Sequence, residues 1–95
     1  MSSAFVAVAS GRVQVVRYRS FALRHARRLG VVGTVENLKD GTVRIVAEGE
    51  RNVLEQFISL LKRGPFLAEV KDVAVQWTQP GNGYRSFTIT NPWTV

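Results

Sequence analysis

Few side chains in this sequence are equipped for chemistry, and those that are cluster near one place. The segment Gly11-Arg12-Val13-Gln14-Val15-Val16-Arg17-Tyr18-Arg19 stands just ahead of a run with helical spacing. A helix start offers backbone N–H groups that no earlier turn can satisfy, together with the positive end of the helix dipole, so it attracts an anion. An arginine in the first turn, Arg19, can turn its planar fork toward the same anion and hold two of its oxygens. Arg12, Arg17, Arg19, Arg24, Arg27 and Arg28 all fall within residues 12–28. Taken singly, most of them read as a solvated helix face; as a group they suggest an anion near the start of that helix. Thirteen Lys and Arg against seven Asp and Glu give a formal net charge of +6, which favours anionic partners in general.

The remaining chemistry is sparse. There is no cysteine, which excludes a disulfide framework, a thiolate zinc site and a cysteine nucleophile. The single histidine, His25, takes an inward helical position and reads as a core or boundary residue rather than a catalyst. No Ser/His/Asp constellation and no metal-ligand spacing is visible, and the seven carboxylates are scattered in positions that look mostly exposed. Asn37, ahead of Asp40-Gly41, reads on its own as a turn residue.

The elements that must position these residues follow from changes of period. The 95 residues predict one domain spanning 1–95, with its core in about 4–90 and a loosely packed or disordered tail at 91–95. Phe5 to Ala9, then Val13, Val15 and Val16, read as a first strand bent around Ser10-Gly11. From Tyr18 the spacing becomes helical through Phe21, Ala22, His25, Ala26 and Leu29, with Gly30 as a stop. That predicts a helix of about 12 residues, roughly 18 Å long. Val31 to Glu36 predicts a second strand, Asn37 to Gly41 a turn, and Thr42 to Glu48 a third strand. A second helix starts near Glu50, with an apolar stripe of Val53, Leu54, Phe57, Ile58, Leu60 and Leu61, and stops at Gly64-Pro65. Glu69 to Thr78 and Tyr84 to Thr90 predict the last two strands, separated by a loop at Pro80 to Gly83. The order is βαββαβ plus one short strand. It implies an α+β, ferredoxin-like sandwich: an antiparallel sheet with two helices on one face. No apolar run reaches the roughly 20 residues of a membrane span, and no signal peptide is visible, so the expectation is a soluble cytoplasmic protein.

The segment 11–19 resembles the loop of acylphosphatases, which has the form Gly-Arg-Val-Gln-Gly-Val-x-Phe-Arg. The resemblance continues through Ala26-Arg27-Arg28-Leu29-Gly30, Gly33-Thr34-Val35-Glu36-Asn37 and Asp40-Gly41-Thr42-Val43. It runs on through Val46-Ala47-Glu48-Gly49, Gly64-Pro65, Ala68-Glu69-Val70 and Phe87-Thr88-Ile89. It implies hydrolysis of the carboxyl–phosphate bond of acyl phosphates, with Arg19 binding the phosphoryl group and Asn37 orienting the attacking water. The phosphate-binding loop would be Gln14, Val15, Val16, Arg17, Tyr18 and Arg19. The implied partner is a small acyl phosphate or inorganic phosphate, with no metal, cofactor or covalent intermediate, no membrane, and a monomeric chain.

Such a reaction needs little from the protein. The leaving group is a carboxylate, stable without a proton, so no strong general acid is required. In-line placement of water and neutralisation of the equatorial oxygens suffice. The sequence departs from the family pattern at Val15, where the loop has glycine; a valine forced into a left-handed conformation costs roughly 1–2 kcal/mol. That predicts a misaligned cradle and reduced activity. The alternative is a catalytically impaired acylphosphatase-like module that binds anions or nucleic acid. Against nucleic acid, strand 42–48 lacks the aromatic residues on which RNA-recognition sheets stack bases.

Overall fold

The computed structural model describes residues 2–14 and 16–90. The chain runs β1 (Ser2–Arg12), α1 (Tyr18–Leu29), β2 (Val32–Asn37), β3 (Val43–Glu50), α2 (Arg51–Arg63), β4 (Glu69–Thr78) and β5 (Phe87–Ile89). The strands form one sheet in the order β4-β1-β3-β2-β5. The first four pair antiparallel, as expected. The fifth departs from the antiparallel expectation: β5 lies parallel to β2, through Gly33–Phe87, Thr34–Thr88 and Val35–Ile89, and makes the sheet mixed. Its position follows from burial, since Phe87 is fully buried and packs edge-on against Phe57 of α2 at 5.7 Å between ring centroids.

The two helices divide the sheet between them. α1 packs over β2 and β5, while α2 packs over β1, β3 and β4. The core lies between the layers. α1 contributes Tyr18, Phe21, Ala22 and Ala26, its alanines letting the helix backbone approach the sheet. α2 contributes Leu54, Phe57 and Leu61, and the sheet opposes them with Phe5, Ala7, Val35, Val43 and Ile45. Each such large apolar side chain stabilises the fold by about 1.5–3 kcal/mol relative to exposure. Arg51 opens α2 with its guanidinium 3.6 Å over the Trp77 ring, joining that helix to β4.

The expected bend at Ser10-Gly11 is a β-bulge: the β1–β4 register shifts there, from Ser10 opposite Asp72 to Gly11 opposite Val70. Gly11 has φ 110°, and a Cβ at that position would stand 2.2 Å from the Glu69 carbonyl oxygen. Only glycine fits so close an approach. After the bulge the strand continues only to Arg12. Val13 is not a strand residue; it turns into the core, 1% exposed, and anchors the loop that leads to α1.

Register shows which loops share an end of the molecule. Ala9 pairs with Val43 and Val43 with Asn37, forming one row across the sheet. All three are buried, so the row faces the helices. Arg12 pairs with Glu69, the first residue of β4. The end of β1, the end of β2 and the start of β4 therefore stand together. Both β1 and β2 are antiparallel to β3, hence parallel to each other, so α1 runs back between them and starts at that same end.

Candidate active site

The loop between β1 and α1 is tied down from three sides. Val13 plugs into the core. Gln14 donates both hydrogens of Nε2, one to the Leu38 carbonyl at 2.8 Å and one to the Thr42 carbonyl at 2.9 Å. These carbonyls flank the β2–β3 turn, so one side chain fastens the loop to the hairpin directly after Asn37. The Val16 N–H donates to the Gln14 carbonyl, which tightens the bend. Tyr18 is buried and its hydroxyl donates to the Leu61 carbonyl at 2.7 Å, joining the start of α1 to the last turn of α2. Burial pushes the Tyr18 phenol well above its ordinary pKa, so it remains a neutral donor.

Arg17 forms the N-cap of α1 in the left-handed region, at φ 63° and ψ 27°. It is the one non-glycine residue with positive φ among those described. The Arg17 side chain makes no capping hydrogen bond and the first turn carries no acid. The first helical bond runs from the Phe21 N–H to the Arg17 carbonyl at 3.0 Å, so the N–H groups of Tyr18, Arg19 and Ser20 precede the intrahelical ladder. Arg19 is half-buried in that first turn.

Asn37 is not a turn residue. It is the last residue of β2, only 5% exposed, on the helix-facing side of the sheet. The turn proper spans residues 38–42. It is closed by the Leu38 N–H on the Thr42 carbonyl at 2.8 Å, and Asp40 accepts from the Thr42 hydroxyl and N–H at 2.6 and 3.0 Å. Those two bonds, the hydroxyl first, hold the Asp40 carboxyl below its ordinary pKa. Asn37 thus stands at the base of a well-closed hairpin, at the end of the molecule where α1 begins. Gln14, Val16, Arg17, Tyr18 and Arg19 form that approach; Val15 lies outside the described residues, as does the tail at 91–95.

His25 lies two turns further along α1. Phe21 meets it edge-on at 4.5 Å, and Arg28 Nη2 stands 3.0 Å from its Nδ1. Partial burial, then Arg28, Arg24 and Arg63, lower its pKa and keep the ring neutral near pH 7. It is a boundary residue, as expected. Glu48 corrects the expectation that the carboxylates are exposed. It is 9% exposed and accepts from the Gly81 N–H at 3.2 Å, the Asn82 N–H at 3.1 Å and Asn82 Nδ2 at 2.7 Å. Its register partners, Ala4 and Val32, place it at the opposite end of the sheet from Asn37, so it serves structure and not the site. Among the described residues, no group of three or more His, Cys, Asp or Glu side chains is arranged to hold a metal ion, and no helix is long and apolar enough to cross a membrane.

The sequence pattern that defines acylphosphatases matches residues 5–89. The chain belongs to the acylphosphatase family. It is 49% identical over 84 residues to an acylphosphatase of Thermus thermophilus, covering 88% of this chain and 94% of that one. The crystal structure of an acylphosphatase from Bacillus subtilis superimposes with a TM-score of 0.89 at 34% identity, covering 94% of this chain and 98% of that one. An acylphosphatase from Coxiella burnetii gives 0.87 at 31% identity, covering 93% and 92%. These likenesses bear out the ferredoxin-like α+β fold and favour an acylphosphatase over an impaired binding module.

Proposed function

We propose that this chain hydrolyses acyl phosphates to a carboxylate and inorganic phosphate. The backbone N–H groups of Arg17, Tyr18 and Arg19, where the loop enters the helix, cradle the phosphoryl oxygens, and the Arg19 guanidinium holds two of them. The Asn37 carboxamide orients a water in line with the bond to be broken. What carries this reading is the pair of bonds from Gln14 Nε2 to Leu38 and Thr42. They hold the loop ahead of the helix start against the hairpin whose base is Asn37.

In the reaction the water oxygen forms a new bond to phosphorus while the bond to the acyl oxygen breaks, its electron pair leaving on the carboxylate. Both water protons stay with the phosphate, and one passes later to solvent. The N–H groups and Arg19 are aimed before reaction at oxygens whose charge they must neutralise, so they stabilise the transition state without reorganising. The substrate is a small dianion, taken by a monomer, and the cysteine-free sequence suits a reducing cytoplasm.

The test is turnover of benzoyl phosphate by the parent, Arg19→Ala and Asn37→Ala. Losing one preorganised group of this kind lowers kcat by about 10²–10³-fold. Arg19→Ala also loses inhibition by inorganic phosphate, whereas Asn37→Ala retains it, because Asn37 acts on water. A parent without turnover, or an Arg19→Ala protein as active as the parent, defeats the reading. Val15 stands where the family loop has glycine, and Val15→Gly is expected to raise kcat/KM; an unchanged rate removes residue 15 as a brake on activity.

A further inference from the structure

Beside the loop lies a groove of about 290 Å³, lined by Val16, Arg17, Pro65, Phe66 and Leu67. Phe66 is 99% exposed and Leu67 67% exposed, and they are the large apolar side chains left to solvent among the described residues. They occupy the two central positions of a tight turn, closed by the Ala68 N–H on the Pro65 carbonyl at 3.0 Å. The turn is fixed in place. Gly64, at φ 70°, lies so close to α1 that a Cβ there would stand 3.5 Å from the Tyr18 ring, and Tyr18 in turn holds Leu61. Nothing in the packing of the described residues requires a phenylalanine and a leucine at that tip.

Their place relative to the loop gives them a use. The sheet order sets β4 on one side of β1, and β3 then β2 on the other. Strands are spaced about 4.8 Å apart, so Asn37 lies about 10 Å to one side of β1, and the turn leading into β4 lies to the opposite side. The loop after β1 stands between them. In an in-line displacement the water and the leaving group occupy opposite faces of the phosphorus. A water held on the Asn37 side sends the leaving group toward Pro65–Leu67.

We infer that the groove formed by Val16, Arg17 and the Pro65–Leu67 turn receives the acyl group of the substrate, with Phe66 and Leu67 as the side chains that set how far an aryl acyl chain is preferred over acetyl. This rests on the phosphoryl-loop reading above. The space suffices: an apolar cavity of about 150 Å³ already accepts benzene. The groove is also apolar on one wall and charged on the other. Phe66 and Leu67 meet the hydrocarbon, while exposed Arg17 lies on the side where the departing carboxylate gathers its charge.

The experiment compares benzoyl phosphate with acetyl phosphate, whose phosphoryl groups are identical, in the parent and in Phe66→Ser/Leu67→Ser. Both residues are exposed, so the variant keeps its fold, which circular dichroism verifies. The ratio of kcat/KM for benzoyl over acetyl phosphate should fall about tenfold, mostly through KM for the benzoyl ester. Inhibition by inorganic phosphate, which has no acyl group, should be the same in both proteins. A ratio unchanged within twofold overturns the assignment. So does weakened phosphate inhibition, which would make the turn a support for the loop, or a parent that sediments as a dimer and a variant that does not, which would make it a contact between copies. If the parent hydrolyses neither ester, the phosphoryl-loop reading fails first and takes this one with it; if it hydrolyses both and the ratio does not move, only the acyl subsite fails.

Discussion

Gln14 does work that no other side chain in the loop can replace. Both of its acceptors are carbonyl oxygens, so it must present two hydrogens from one nitrogen. A glutamate has the same shape and no donor. At neutral pH, Gln14→Glu would push a carboxylate against the oxygens of Leu38 and Thr42, whereas Gln14→Ala leaves them to water. The expected loss is about 1–2 kcal/mol for alanine and more for glutamate, read from urea unfolding midpoints. Activity should fall with it, because the loop loses its tie to the hairpin. A glutamate variant as stable as the parent would mean that the two bonds contribute nothing to the fold. Arg17 shows the complementary feature. A non-glycine residue in the left-handed region costs about 1–2 kcal/mol, and such strain persists where the surroundings over-determine the backbone. Here the surroundings are Val13 in the core and Tyr18 on Leu61. The sequence carried the identities of the loop residues but not this arrangement. Val13, Val15 and Val16 are β-branched and read as strand, whereas the paired strand ends at Arg12, just past the bulge at Ser10/Gly11 that β4 pins from some 60 residues later in the chain.

Between elements, the tie that matters most outside the site runs from the end of β3 to the loop before β5. Glu48 receives three hydrogen bonds from Gly81 and Asn82. Burial pushes its carboxyl upward in pKa, but the bonds from the Asn82 side chain and the Gly81 and Asn82 N–H groups outweigh that and hold it below the ordinary glutamate value. A folded-state pKa below the unfolded one gives stability that is present above the unfolded pKa and lost as pH falls through the folded one. The parent should therefore lose stability as pH drops from about 5 toward 3. Glu48→Gln should start less stable at pH 7 and show a flatter acid slope, measured by urea midpoints at each pH. Equal slopes in the two proteins would show that Glu48 is not the titrating tie. None of this was legible in advance, because Glu48 ends an ordinary strand and its partners lie 33 and 34 residues away. The helices and the first four strands were legible, since their periods are local. Glu69–Thr78 matches the reading at both ends and α1 starts at Tyr18 where the spacing changes. The parallel pairing of β5 was not, because a three-residue strand carries no sign of which neighbour it will join. The same limit applied to Asn37: composition placed it in a turn, and only the register that pairs it with Val43 makes it the last strand residue.

For the whole molecule the governing quantity is charge. The formal net charge is +6, and its densest part is the arginine-rich stretch that starts at the loop and continues along α1. Arg27 and Arg28 are exposed in the last turn of α1, roughly 13 Å along the helix from Arg19, too far to touch a phosphoryl group in the loop. Their route to the substrate is the field that draws a dianion toward the site. Salt separates such action from local contact, because screening shortens from about 10 Å at 0.1 M to about 3 Å at 1 M. The cradle itself is less affected, since its donors meet the substrate directly. Raising potassium chloride from 10 mM to 1 M should therefore raise KM for an acyl phosphate several-fold and leave kcat within about twofold. The double variant Arg27→Glu/Arg28→Glu should have a raised KM at low salt and a flatter salt dependence, converging on the parent near 1 M. If the two proteins instead keep a constant ratio at every salt concentration, the arginines contribute through structure at the end of α1 and not through the field. If kcat falls with salt while KM holds, the charge that matters is inside the loop, and the surface arginines are only a solvated helix face.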